Sequence, residues 1–481
     1  MEKHPLIAAL ACATAAFSIP AAAVNLSPRG LGQALIYPYY TVNKSQDTYL
    51  TIANNGWHGV VAKVRFLEGR NGRPVLDFNL YLSAHDTWSG VVSQTGDDGG
   101  AMLKTSDRSC TTPTIPAAGL VFSASGYDGS GGLPADSGPQ TIARTREGFI
   151  EVIAGGEILS GSPTEQAISH VQSGAPNAGA PDHCNQLQTR MIDDLVGPTN
   201  ALAGSAGIIN VGTGTYFVYN ADALANFTEV PLFTATTGPL EPSLAQANTI
   251  EETGAGATAY LFSDNSSGNP DSGRAQSARF AHGIDAVTAV LMADSIQNDY
   301  LTAPGLGADT DWVVTLPTRR FYIDSIYPDY GVAEATPVVS DPKVALAVYD
   351  SEGGRALPEN QERFALPFST NVISFLTDAP AGAPSGVFGS RLNTNIAPTA
   401  DSGSMRLDVT DHRSGSSASG FPRMQFGNFA LYGTPVVGFM AYNIVNAQAQ
   451  PGRLANYSGA FPHRTTACTG PTVLFEYICQ R

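Results

Sequence analysis

Short runs of alternating β-branched and aromatic residues, closed by glycine, proline and asparagine, recur along most of this chain. Residues 35–42, 49–54, 60–67, 75–82 and 87–93 are the first five. Side chains in a strand alternate between faces, so the pattern describes half-buried strands joined by turns. Such strands leave one apolar face per sheet to cover. Stacking a second sheet on it gives a β-sandwich. Asn71-Gly72 between two runs is a type I′ hairpin signal, because both residues accept positive φ.

The pattern returns in the second half, at residues 312–316, 320–323, 344–349, 363–366, 371–375, 404–409, 436–446 and 473–478. The order of units repeats as well. Residues 64–66, 72–73, 78–82 and 87–92 are echoed by 347–349, 354–355, 364–366 and 371–375. Residues 148–153 then correspond to 403–409, and 206–220 to 434–446. The expected fold is therefore mainly all-β, with two immunoglobulin-like β-sandwich domains and a connecting helical segment.

Two stretches read as helix. Ser162 is a good N-cap, followed by Pro163 at the first helical position and by Glu165. Residues 284–301 place Ile284, Val287, Val290, Leu291 and Ile296 broadly on one face, which predicts a connector helix packed on a sheet. Expected boundaries are a signal peptide at 1–23, a first sandwich with long loop insertions at 24–234, a linker and helix at 235–305 and a second sandwich at 306–481.

The beginning of the chain carries a compartment signal. A short basic start at Lys3 and His4 precedes an apolar run over 6–19 and small residues at Ala21, Ala22 and Ala23. This is the order of a secretory signal peptide cut before Val24. Fourteen apolar residues are too few to cross a ~30 Å hydrocarbon core as a helix. No later run is long enough, so no transmembrane segment is expected. Export places Cys110, Cys184, Cys468 and Cys479 in an oxidising compartment, where four cysteines imply two disulfides. Three pairings are possible. Proximity along the chain favours Cys110 with Cys184 and Cys468 with Cys479.

Charge excludes some partners. The formal net charge is −16, with no basic stripe to offset it. Such a chain repels phosphate backbones, which sets nucleic acid and anionic membrane surfaces aside. Glycan and envelope or surface proteins remain as partner classes.

Chemistry-bearing motifs are sparse. There is no G-x-S-x-G, H-E-x-x-H, C-x-x-C, P-loop or dinucleotide fingerprint. His58, His85, His170, His183, His282, His412 and His463 show no metal-ligand spacing. Two loops offer hard oxygen ligands for calcium: one from Asp128 to Asp136 (DGSGGLPAD), one running through Asp264 and Asp271 (DNSSGNPDSG). Neither has EF-hand spacing, and an ordinary polar turn is the simpler account of each. No other cofactor is expected. Trp57 and Trp88 are candidates for stacking on a sugar or filling a partner's pocket, with a place in a sheet core as the alternative.

Residues 25–33 (NLSPRGLGQ) followed by 36–42 (IYPYYTV), together with 64–69, 77–83 and 311–323, resemble a group of exported proteobacterial proteins. The resemblance spans most of the mature chain. It implies secretion and a common fold, and it transfers no functional residue. The resulting expectation is an exported, non-enzymatic protein acting by binding or assembly in the periplasm, at the cell surface or outside the cell. The alternatives are a secreted glycan-active hydrolase and a carbohydrate-binding protein.

Overall fold

A computed structural model of the chain describes residues 23–170, 179–181, 183–187, 191–234, 240–249, 256–263, 274–327, 343–357, 363–376, 379–380, 382–409, 424–426, 429–450 and 453–471. It is an all-β sandwich protein. Among the described residues no helix is long and apolar enough to cross a membrane.

The first sandwich has two antiparallel sheets. One runs, edge to edge, through Asn25–Leu26, Asp222–Ala225, Ala34–Thr41, Glu147–Ile158, Val60–Glu68, Pro74–Leu82 and Thr111–Thr112. The other runs through Thr215–Asn220, Leu202–Asn210, Asp47–Asn54, Thr87–Gln94, Ala101–Lys104 and Leu120–Val121. In Asp47–Asn54 burial alternates strictly, with Thr48, Leu50, Ile52 and Asn54 turned inward. That is the period of two on which the sequence expectation rested.

The second sandwich has sheets ordered Arg363–Ala365, Lys343–Asp350, Ser402–Asp408, Ser295–Leu301, Arg464–Thr466 and Asn393–Ile396, Thr370–Phe375, Ala308–Thr315, Val437–Gln450, Arg453–Pro462. Matched strand for strand, these are the orders of the first sandwich. Ser295–Leu301 takes the place of Ala34–Thr41, Ala308–Thr315 that of Asp47–Asn54, and Ser402–Asp408 that of Glu147–Ile158. The repeat read from sequence is thus a repeat of topology.

Three local expectations are corrected. The helix expected over 284–301 is Gly283–Leu291 only, and Ser295–Leu301 is a strand of the second sandwich, paired with Ser402–Asp408. The second sandwich therefore starts before residue 306. Residues 320–323, expected as a strand, form the single helical turn Arg320–Ile323. The Asn71-Gly72 hairpin is not a two-residue type I′ turn. Gly72 has φ +73°, but Asn71 is not in the positive-φ region, and five residues connect the strands. The Glu68 carboxylate organises this loop by accepting the N–H groups of Arg70 (2.8 Å), Asn71 (2.9 Å) and Arg73 (3.1 Å). The helix expected after Ser162 forms over Pro163–Ile168, ending before the expected limit near residue 171, and Ser162 Oγ accepts the Glu165 N–H at 3.1 Å.

The sandwiches share a core. Val313, Val372, Phe388, Phe439 and Ala441 of the second belong to the same buried cluster as Tyr39, Leu50, Phe217 and Tyr219 of the first. Polar bonds cross the same boundary: Thr370 N–H to Gly69 O (2.7 Å), Ser369 N–H to Arg70 O (2.9 Å) and Thr315 Oγ1 to Pro38 O (2.6 Å). A second cluster lies outside the first sandwich. Here helix Gly283–Leu291 and the hairpin Ala257–Ser263/Arg274–Phe280 cover Val24, Ala34, Ile36, Ile153 and Leu224. Val24 is fully buried and its N–H donates to Thr258 O at 2.7 Å.

Candidate functional site

The chain passes from Arg453–Pro462, in one sheet of the second sandwich, to Arg464–Thr466, at the edge of the other. The step between them is His463. On one side lies a groove of about 490 Å³, on the other a cavity of about 700 Å³, and Pro462 and His463 line both.

The groove opens along the side of the second sandwich. Met440 pairs with Phe461 and Tyr442 with Gly459, so Tyr442 and Phe461 rise on the same face. Their ring planes lie within 6° of parallel, with centroids 5.9 Å apart. Gly459 makes this possible, since a Cβ there would stand 3.0 Å from the Phe461 ring and 3.3 Å from that of Tyr442. Phe461 is 46% exposed. Polar groups flank the pair. Asp299 and Arg464 face each other at 3.8 Å, both largely exposed. The Asn298 amide donates to Pro462 O at 3.1 Å and lies 3.3 Å from His463 Nδ1.

His463 is a structural hinge pin. Its Nε2 lies 2.9 Å from Val313 O, a pure acceptor, so Nε2 carries the proton and Nδ1 accepts from Asn298. Its ring rests 4.9 Å from Trp312. Burial, opposed by the bond to Val313 O, brings its pKa down to about 4, so the ring is neutral at physiological pH.

The cavity lies where three parts meet. Asn25, Leu26 and Asp222 come from the edge of the first sandwich, residues 289–291 from the end of the helix, and Val436, Val437 and Thr465 from the second sandwich. Tyr260, 48% exposed, stands among the lining. Burial pushes the Asp222 carboxyl up to about 7.

The residues singled out from sequence fall elsewhere. Cys110 and Cys184 form a disulfide with Cα atoms 5.3 Å apart, above a small buried cluster of Val61, Tyr81, Ile158 and Ile168. The side chain of Cys468, and all of Cys479, lie outside the described residues, as do Asp264 and Asp271. Asp128 accepts the Ser130 N–H (2.8 Å) and hydroxyl (2.6 Å). Asp136 accepts both terminal nitrogens of Arg144 at 2.7 Å and the Asn71 amide at 2.7 Å. A cation at Asp136 would have to displace that guanidinium. Burial raises the Asp136 carboxyl, but the Arg144 and Asn71 bonds outweigh it and hold it at about 2. Trp88 is corrected: it is fully buried against Phe78 and presents no ring to a ligand. Trp57 is 83% exposed, edge-on to His85 at 4.6 Å.

The groove and cavity escaped sequence reading because their walls come from residues far apart in the chain, from Asn25 to Ala467 in the cavity, with no local motif. Fold and sites together define a tandem β-sandwich protein with two adjoining concavities. No protein-family model matches the chain, and no curated protein or solved structure matches it either.

Proposed function

We propose that the protein is exported and acts in the periplasm or at the cell surface by binding a glycan in the groove of its second sandwich. The observation that carries this reading is the nearly parallel Tyr442–Phe461 pair beside Asn298, Asp299 and Arg464. The apolar face of a sugar ring carries C–H groups that match the negative face of an aromatic ring. Its hydroxyls need donors and acceptors at the edge, and the amide, carboxylate and guanidinium supply both. Export is supported by the basic, apolar and small-residue order of residues 3–23.

Calorimetric titration of residues 24–481 against a panel of neutral and acidic oligosaccharides tests the reading. Saturable binding without turnover is expected, weakened about tenfold by Tyr442→Ala or Phe461→Ala, since a stacked ring contributes on the order of 1.5 kcal/mol. Cleavage of a panel member, or binding indifferent to both substitutions, overturns it.

A further inference from the structure

We propose that the cavity between the sandwiches is a separate site for a small organic ammonium ion on an apolar body, with the Asp222 carboxylate as counter-ion. Asp222 sits on the strand Asp222–Ala225, opposite Ile36. Among the described residues that line the cavity it is the one acidic or basic side chain, His463 being neutral there. Among the described residues no donor reaches its carboxylate, and burial alone accounts for its raised pKa. Asp222 is half-buried, and a carboxylate that gives up part of its water without gaining a partner does so at a cost, which a bound cation would offset.

Two further features favour the same sign of charge. The last turn of the nine-residue helix Gly283–Leu291 forms one wall. A helix C-terminus carries negative partial charge and so attracts a cation. The chain as a whole carries −16, which raises the local concentration of cations. The remaining walls are mostly apolar, with Leu26, Leu291, Met292, Val436 and Val437. One carboxylate on apolar walls does not satisfy a metal ion that takes six or more oxygen ligands. It does suit one ammonium group with a hydrocarbon body, and the Tyr260 ring at the rim can add a cation–π contact.

Among the described residues the titratable groups facing the cavity are Asp222 itself, His463 and the Tyr260 phenol. With Asp222 near 7 and His463 near 4, the carboxyl changes charge between pH 6 and pH 8 and the imidazole does not. Its ionised fraction rises about tenfold over that interval, so ammonium binding should tighten by about that factor.

Titration calorimetry with 2-phenylethylammonium chloride, and with neutral 2-phenylethanol as its control, is the test. Residues 24–481 should bind the ammonium ion at pH 8 at least tenfold more tightly than the alcohol. Asp222→Asn should erase that preference. Leu26→Trp, which narrows the mouth and leaves the carboxylate in place, should weaken both probes and covers the case in which D222N fails to fold. Tyr442→Ala should change neither titration, which keeps this site distinct from the glycan groove. Absence of ammonium binding up to millimolar concentration, or equal binding by wild type and folded D222N, overturns the proposal.

Discussion

Arg320 and Glu151 form an ion pair with almost no solvent contact on either side chain. Nη1 lies 2.7 Å from Oε1 and Nη2 2.8 Å from Oε2. Glu151 belongs to the central strand Glu147–Ile158 of the first sandwich, and Arg320 to the helical turn that follows Ala308–Thr315 in the second. The guanidinium also lies over the Phe321 ring at 4.2 Å. This pair pins the sandwiches at one relative orientation.

Removing one partner leaves a buried charge without compensation, which costs about 3–5 kcal/mol. Arg320→Met should therefore lower unfolding free energy by roughly that amount in urea titrations. Adding Glu151→Leu to the same chain should recover much of the loss, because an apolar pair needs no desolvation. A double variant no more stable than R320M would show that the two side chains do not act as a unit.

The shared core makes a second prediction. Phe439 stacks on Tyr219 at 4.5 Å and lies edge-on to Phe388 at 6.1 Å, so its ring packs against the first sandwich from a strand of the second. Scanning calorimetry should show one cooperative transition for both sandwiches. Phe439→Ala should cost about 3–5 kcal/mol and split or broaden that transition. Two well-separated transitions in the unaltered protein would mean that the boundary contributes little.

These contacts explain which parts of the fold were legible. Alternation identified most strands, and their order revealed the repeat, because both are local. Ile296, Asn298 and Tyr300 are buried at every second position, yet Ile296 also extends the helical face begun at Ile284. What decides between the two is the ladder partner Ser402–Asp408, about 100 residues away. Arg-Phe-Tyr-Ile at 320–323 has strand-like composition, but Arg320 must reach Glu151 and Pro317 O, and a helical turn places it there. Asn71-Gly72 carried a hairpin signal that the Glu68 carboxylate overrides. The functional residues were the least visible. Asp222 is an ordinary aspartate until the helix and the second sandwich close over it. His463 is one of seven unremarkable histidines beyond residue 23.

The disulfide carries a third prediction. Cys110 and Cys184 are 74 positions apart, and closing a loop of that length removes about 4 kcal/mol of unfolded-state entropy in the chain-entropy model. Urea titrations with and without reductant should differ by about 2–4 kcal/mol. The double variant Cys110→Ser/Cys184→Ser should behave like the reduced protein and be insensitive to reductant. An equal midpoint in both conditions would mean that the satellite cluster around Tyr81 and Ile168 holds this part of the first sandwich without the cross-link.

Asp222 also ties stability to pH, and the sign is opposite to that of an ion-paired carboxylate. Its folded-state pKa is raised from 3.8 to about 7, so between those values the folded protein holds more protons than the unfolded one. Its contribution is favourable below about pH 4, declines as pH rises, and levels off above about pH 7. The full interval corresponds to roughly 4 kcal/mol at ~1.4 kcal/mol per pH unit. Water in the open cavity screens part of that, which leaves about 2 kcal/mol. Asp222→Asn should therefore be more stable than wild type by about 2 kcal/mol at pH 8, with the gap closing towards pH 4. Urea titrations at half-unit intervals measure this difference directly. An Asp222→Asn protein less stable than wild type at pH 8, with the loss vanishing on acidification, would assign the carboxylate a cationic partner, and the cavity would then hold a structural ion pair.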